Sequence, residues 1–471
     1  MVVDTHQRDR FKMPPQIHTA QEKLASAALF AVLAILLVAL HRAHISVVFA
    51  ITLLSLLISF YRPVALIYFL AALTLFAPEL PVGPGVSLNV FLLSGLCLAI
   101  IGRMALSGTW TLPDPKYITV VILFSIAGIL SLLKALLYFD VPTVVMGALY
   151  LAQWSLYLTF PALMTVYLRK NTKQQINVMS FLLVVSAVMA LYLFALFLLD
   201  IRPTETTIRI AGHRPLVAFW QQSQLAVGMF TSLTSIVSFS IAIKHPRERV
   251  TGSLFTLSAL CGFLTLATLA RSAILGLVIG IFIVVLLEYR WKTLFVVAIT
   301  VPVGIIIAPE WLLIRFTRST FFWREVPALG IKIPIGTLWK RVNGWVKLST
   351  VFVHNPLFGI GFSLSQERMA QLFSNHISPD NQYVALLVET GIVGFMIFCM
   401  WVRLVYWRLF EAYRESTFEM SGLALGMIGA FTAFLVWGFF QEFYARWRVL
   451  GPLFTYFGLI YAAHDRSTGE G

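Results

Sequence analysis

The sequence predicts an all-α, polytopic integral membrane protein with about fourteen transmembrane helices and a large extracytoplasmic loop before the twelfth. Three observations carry this prediction. Hydrophobic residues make up 59% of the chain and charged residues only 12%, about half the charged fraction of a soluble domain, and the mean hydropathy is +0.85. Apolar runs of about 17–25 residues recur along the chain, long enough to cross the hydrocarbon as helices, while the short alternating segments of a membrane barrel are missing. Lysine and arginine gather in alternate turns between those runs, as orientation in a membrane requires.

Residues 1–23 are polar, contain Arg8, Arg10, Lys12 and Lys23, and read as a cytoplasmic tail. The run from Leu24 to Leu40 has no clear small-residue cleavage site and is expected to be a retained first helix. Spans follow near 24–41, 45–61, 63–79, 87–106, 117–138, 144–168, 176–199, 217–243, 252–270, 272–289 and 293–310. A polar loop occupies 311–381, spans resume near 382–403, 422–441 and 447–463, and residues 464–471 form a second cytoplasmic tail. With the N-terminus in the cytoplasm, even-numbered spans return there at Arg103–Lys116, Arg169–Lys173, Lys244–Arg249, Arg290–Lys292 and Arg403–Arg414, each of them basic. Pro81–Asn89, without lysine or arginine, falls outside. The reverse orientation would place every one of those basic turns outside, against the positive-inside rule.

The net charge of +14 is spread over turns that face anionic headgroups, and no basic–aromatic motif points to nucleic acid. Cys97, Cys261 and Cys399 lie in apolar runs without metal-ligand spacing and read as small apolar fillers. No metal site or cofactor motif is found.

Against this background, Arg209, Arg214, Arg271 and Arg341 fall on the outer side or at its rim. Arginine there works against topology and costs desolvation near the bilayer. An anionic ligand at the outer face is the simplest reason to keep it. Two outer segments stand apart: Asp200–Val217, and the polar stretch Glu310–Asn381, where Phe321, Phe322, Trp323, Trp339 and Trp345 are interleaved with cations. The longer stretch is expected to lie partly on the interface as short amphipathic helices.

That stretch closes with His354-Asn355-Pro356-Leu357-Phe358-Gly359-Ile360-Gly361-Phe362. Asn375-His376-Ile377-Ser378-Pro379-Asp380-Asn381-Gln382-Tyr383 follows, and then Leu387-Val388-Glu389-Thr390-Gly391-Ile392-Val393-Gly394. The glycines at 359 and 361 are expected to allow a tight turn. Together the pieces resemble the carboxy-terminal signature of the O-antigen ligase and O-antigen polymerase superfamily: h-P-L-x-G-x-G, H-N-x-Y-L, E-x-G-I-x-G. Upstream, Arg209-Ile210-Ala211-Gly212 with Gln222-Ser223-Gln224-Leu225-Ala226 is similar to the family's R-x-x-G…N-x-L-A element. Leu269-Ala270-Arg271-Ser272 through Gly276-Leu277 is similar to its S-R-x-x-x-x-G-L element, and Arg341 with Trp345 to its R-x-x-x-W element. The resemblance covers about Arg209–Gly394.

The resemblance implies a glycan transferase of the bacterial inner membrane with its site on the periplasmic face. The donor is an undecaprenyl-pyrophosphate-linked glycan, and the acceptor is a hydroxyl of another repeat unit or of lipid A-core. A flippase and a chain-length regulator are implied as partners. Arginines hold the pyrophosphate and, in the ligases, a histidine of a His-Asn pair is the proposed base. Here that pair is Asp380-Asn381. Aspartate can also take or orient the attacking proton, and His376, four residues earlier, could substitute.

The departure favours a polymerase over a ligase. The expected site is therefore Asp380 and His376 as catalytic candidates, with Arg209, Arg214, Arg271 and Arg341 on pyrophosphate. Asn381 and Glu389 support them, Glu389 through structural pairing with an arginine. A transporter or flippase for the same anionic lipid is the alternative of another class. No phosphate-binding glycine loop would power it, and the motifs gather at one face rather than at the midplane.

Single-cysteine labelling from the two sides of the membrane checks the orientation. Cysteines placed in Asp200–Val217 and in Glu310–Asn381 should react from outside and those in both tails from inside. A long loop that labels only from the cytoplasm would overturn it.

Overall fold

The structure, a computed structural model, describes residues 67–68, 81–83, 86–87, 97, 114–168, 172–199, 224–245, 250–289, 323–326, 331–334, 337–373, 380–416, 418–441 and 447–467. These form a helical membrane-type bundle with two small hairpins. The first hairpin, β1 (Pro81–Gly83) with β2 (Val86–Ser87), falls in the expected outer turn. The helices are α1 (Pro115–Ala135), α2 (Val141–Leu168), α3 (Thr172–Leu198), α4 (Gln224–Lys244), α5 (Thr251–Ala267) and α6 (Arg271–Tyr289). Hairpin β3 (Trp323–Val326) with β4 (Ile331–Pro334) follows. Then come α7 (Thr337–His354), α8 (Ser365–Phe373), α9 (Gln382–Glu415), α10 (Phe418–Gly438) and α11 (Trp447–Ser467).

Seven of these helices are long and apolar enough to cross a membrane: α1, α2, α3, α4, α6, α9 and α10. Shorter apolar stretches run through α5 and α11. Most of the expected spans 24–41, 45–61, 63–79, 87–106 and 293–310 lies outside the described residues. The long loop does contain amphipathic helices, α7 and α8, but it also contains β3–β4, which was not expected.

Local chemistry sets the helix ends. Asp114 accepts the Tyr117 amide at 3.3 Å and Pro115 opens α1, a cap and a proline where each is favoured. The hydrophobic segment of α4 is 94% buried, and small polar side chains fasten it. Thr231 and Thr265 share a hydroxyl bond of 2.8 Å, Ser235 donates to the Ser258 carbonyl at 2.8 Å, and Ser240 donates to the Gly422 carbonyl at 2.9 Å. Hydroxyl ties and close approach take the place of a hydrophobic driving force between helices in lipid.

Ion pairs mark one end of the bundle. Lys244 meets Glu288 at 2.7 Å, and Arg408 meets Asp114 at 2.8 Å and Glu411 at 3.0 Å. The last pairs also explain a correction. The twelfth span was expected to end near 403, with Arg403–Arg414 as a turn. Instead α9 continues to Glu415, because the carboxylates of Asp114 and Glu411 neutralise Arg408 within a helical extension.

The bundle's other end is organised by a break. Gly391, at φ 67 and ψ −171, interrupts α9. A straight helix would hold Tyr383 and Phe398 about 22 Å apart along the axis, yet their ring centroids lie 6.2 Å apart. The chain therefore turns sharply at Gly391 and carries the start of α9 back toward its second half.

Such a corner strands backbone carbonyls before it and amides after it, which apolar surroundings do not tolerate. The segment Pro356–Gly361 supplies the partners. The amides of Ile360 and Gly361 donate to the carbonyls of Val388 and Glu389 at 3.1 Å each. The amides of Ile392 and Val393 donate to the carbonyls of Pro356 and Leu357 at 2.8 and 3.3 Å. The Ser131 hydroxyl of α1 also donates to the Glu389 carbonyl. Leu348 and Val351 of α7 pack with Ile360 and Val388 beneath this exchange.

Two glycines make the approach possible. A β-carbon on Gly359 would fall within the backbone of Glu389, and one on Gly391 within that of Leu357; both residues have φ 67. Gly391→Ala and Gly359→Ala should each destabilise the protein by roughly 2–5 kcal/mol, combining strained backbone with a backbone clash. Gly252→Ala, on a helix with nothing within 4 Å of the added carbon, should be neutral or slightly stabilising. Thermal unfolding in detergent, followed by size-exclusion chromatography, compares them. Equal midpoints for all three variants would contradict the interlock.

Candidate active site

Four residues at the start of α9 set the site. Asn381 is buried, and its Oδ1 accepts the amides of Tyr383 at 2.9 Å and Val384 at 3.1 Å. Its side chain is thus committed to capping the helix. Asp380 precedes the cap in the left-handed region at φ 44, a conformation that aspartate tolerates better than most residues. Its side chain lies 39% exposed, with Oδ2 3.5 Å from Nε of Arg341. Gln382 is fully buried, and the Tyr383 hydroxyl donates to the Leu435 carbonyl at 2.5 Å.

Arg341 comes from α7 and is itself mostly buried, with its side chain 19% exposed. Its guanidinium carbon sits 5.9 Å from the centroid of the Phe440 ring, just past the end of α10. The ring face holds the cation without consuming its donors. Three elements that are remote in sequence thus converge: α7, the start of α9 and the end of α10.

Arg271 opens α6 at the same end. Gly280 approaches the Gly429 carbonyl and Gly276 the Ala433 carbonyl. This antiparallel register carries on to place Arg271 at the level of Gly438, next to the Phe439–Phe440 pair. The turn before it is tight. Leu269 has φ 55, and Thr268 accepts the Ala270 amide at 3.3 Å. Gly228 of α4 abuts Thr268 and Ala270, so the start of α4 reaches the same turn. Arg209, Arg214 and His376 lie outside the described residues.

Glu389 sits two turns into α9 and is fully buried. Its Oε1 accepts the Ser365 hydroxyl at 2.7 Å and, more distantly, the Ser365 amide at 3.4 Å. Ser365 is the first residue of α8, so the carboxylate meets the positive end of a helix dipole. This helix-end contact, rather than an arginine, is what the structure describes directly at Oε1. Glu389 therefore fastens α8 to the corner.

Several participants were not singled out from sequence. Phe440 was counted inside a membrane span, and only its place among Phe439, Phe440 and Gln441 at a helix end could have marked it. Ser365 could have been found as a serine opening the polar-faced run Ser365–Phe373. The Asn355 side chain, just before the Pro-Leu-Phe-Gly-Ile-Gly stretch, donates to the Val351 carbonyl and accepts from the Tyr138 hydroxyl at 3.2 Å each. Arg368 of α8 lies 4.8 Å from the Tyr138 ring centroid. This fixes the stretch to α7, α8 and the α1–α2 connection.

Chemically, the arrangement offers a partly exposed carboxylate beside a guanidinium with a planar fork of donors. That combination binds or activates a hydroxyl and compensates an anion within one site. No curated protein matches the chain. The family model described as O-antigen ligase matches residues 256–399. That stretch runs from α5 into α9 and holds Arg271, Arg341, Asp380, Asn381, Glu389 and both interlocking glycines. Over that stretch the chain is similar to the O-antigen ligase family, which supports the resemblance to the O-antigen ligase and polymerase superfamily.

Proposed function

We propose that the chain is a polymerase that transfers glycan from an undecaprenyl-pyrophosphate-linked donor to a hydroxyl of an acceptor repeat unit. It acts at the periplasmic face of a bacterial inner membrane. The observation that carries the reading is the Arg341–Asp380 pair, set within the stretch similar to O-antigen ligase. A lipid pyrophosphate donor asks for arginine forks near lipid-accessible helices, and the acceptor asks for a basic oxygen beside them.

In this reading Arg341 and Arg271, with Arg209 and Arg214 from outside the described residues, compensate the pyrophosphate. A cation in the first turn opposes the helix dipole, so an anion at this end of α6 offsets the cost of Arg271. The acceptor oxygen attacks the anomeric carbon in line, the bond from that carbon to the phosphate oxygen breaks, and the acceptor proton passes to Asp380. The donor's anomeric configuration inverts and undecaprenyl pyrophosphate leaves. Arginines supply the charge compensation that a metal supplies in many soluble transferases.

A ligase of the same superfamily, with lipid A-core as acceptor and His376 as base, is the second reading. The description of the matching family favours it. The product separates the two: lengthened polymer on the carrier, or capped lipid A-core.

The assay is product formed by purified protein from lipid-linked repeat units in vesicles. Asp380→Asn should lower the rate roughly 10²–10⁴-fold, the usual size of a general-base contribution, with donor binding little changed. Arg341→Ala and Arg271→Ala should abolish transfer at normal abundance, and lysine should rescue poorly, since it cannot present a bidentate fork. A near-neutral Asp380→Asn with a dead His376→Ala would move the base to His376 and favour the ligase. Lysine variants with wild-type rates would sink specific pyrophosphate recognition.

The same preparation should keep its activity in excess chelator. Activity lost to chelator and restored by a divalent cation would contradict arginine compensation and recast Asp380 as a metal ligand.

A further inference from the structure

One exposed aromatic ring beside this pair remains without a role. Phe439 follows the end of α10 and is 52% exposed. Its ring centroid lies 4.5 Å from that of Tyr383, at an interplanar angle of 50°. Tyr383 is rigid, because its hydroxyl donates to the Leu435 carbonyl at 2.5 Å and its ring also lies 6.2 Å from Phe398. A tyrosine serving as an interfacial anchor turns its hydroxyl to the headgroups. Here the hydroxyl is satisfied inside the protein, and the ring instead braces Phe439. The next residue, Phe440, carries Arg341, which holds Asp380. Asp380 in turn lies three residues before Tyr383.

We infer that Phe439, braced by Tyr383, is a platform on which a sugar ring of the acceptor stacks. The inference rests on reading Asp380 as the group that meets the acceptor hydroxyl. One face of a pyranose presents aliphatic hydrogens that pack against an aromatic face, while its rim presents hydroxyls to polar groups. Carbohydrate sites need such a combination of a rigid apolar surface and a few placed polar groups. Phe439 supplies the surface and the adjacent Arg341–Asp380 pair the polar groups. A ring already fixed before binding loses little freedom when the sugar arrives. Because Phe439 and Phe440 are consecutive, the backbone ties the platform to the ring over which Arg341, and through it Asp380, is held.

Binding and transfer are measured separately. The probe is the oligosaccharide repeat released by mild acid from the cell's lipid-linked intermediate, titrated onto purified full-length protein by saturation-transfer NMR. Phe439→Ala should weaken binding about five- to tenfold, within the range for a single ring contact. Phe439→Trp should retain it, and Phe439→Leu, which keeps apolar bulk without a ring face, should resemble alanine. In the transfer assay Phe439→Ala should raise the acceptor KM by a similar factor, with kcat and the donor KM nearly unchanged.

Unchanged oligosaccharide binding in Phe439→Ala, binding by Phe439→Leu equal to wild type, or no binding by the wild type would each overturn the platform, whether or not transfer occurs. Phe439-dependent binding without any transfer would support the platform and sink the catalytic reading instead.

Discussion

A helix that breaks among apolar neighbours must find new partners for the peptide groups it releases, because nothing in hydrocarbon can serve. In this protein the break is at Gly391, and the backbone partners come from a single segment, Pro356–Gly361. Carbonyls of Val388 and Glu389 receive amides from that segment, and amides of Ile392 and Val393 donate back to it. The exchange runs in both directions, so neither element can move without stranding polar groups on the other. It has no side-chain substitute, and it tolerates no β-carbon at Gly359 or Gly391.

The candidate site depends on this exchange. The segment Pro356–Gly361 continues directly from α7, which carries Arg341. The corner at Gly391 returns the start of α9, which carries Asp380. Fixing one against the other brings a cation and a carboxylate from distant parts of the chain to 3.5 Å. Glu389 adds a further link by binding the first residue of α8. The amphipathic helices of the long loop are thus fastened to the helical bundle where α9 breaks. Groups that must keep a fixed mutual geometry benefit from supports that are themselves locked by a second layer of bonds.

The site also divides its labour between polar and apolar partners. Asn381 resembles half of a catalytic pair in sequence, but in the structure it caps α9. Asp380 is the more exposed of the two and lies against Arg341. Phe440 holds the arginine by its face and leaves the donors of the guanidinium to anions. The opposite end of the bundle uses charges differently. Lys244 with Glu288, and Arg408 with Asp114 and Glu411, neutralise one another and tie helix ends together.

The sequence by itself determined the helical membrane class and most helix limits among the described residues. Hydropathy and charge placement are local quantities that survive without tertiary contacts, so spans such as 272–289 and α6 nearly coincide. The motifs around Gly359 and Gly391 were legible as motifs, with tight turns as their expected reason. Their actual reason is a contact between two backbones about thirty residues apart, which no local pattern encodes.

The extension of α9 to Glu415 was likewise hidden, because one of the two carboxylates that neutralise Arg408, that of Asp114, caps α1, far away in sequence. The role of Phe440 was hidden as well, since a phenylalanine in an apolar run carries no signal until an arginine is laid across it. Only the tertiary structure decided these points. Each depends on which groups meet across the fold, and the free energy that selects them is that of satisfying buried polar groups between segments rather than within one.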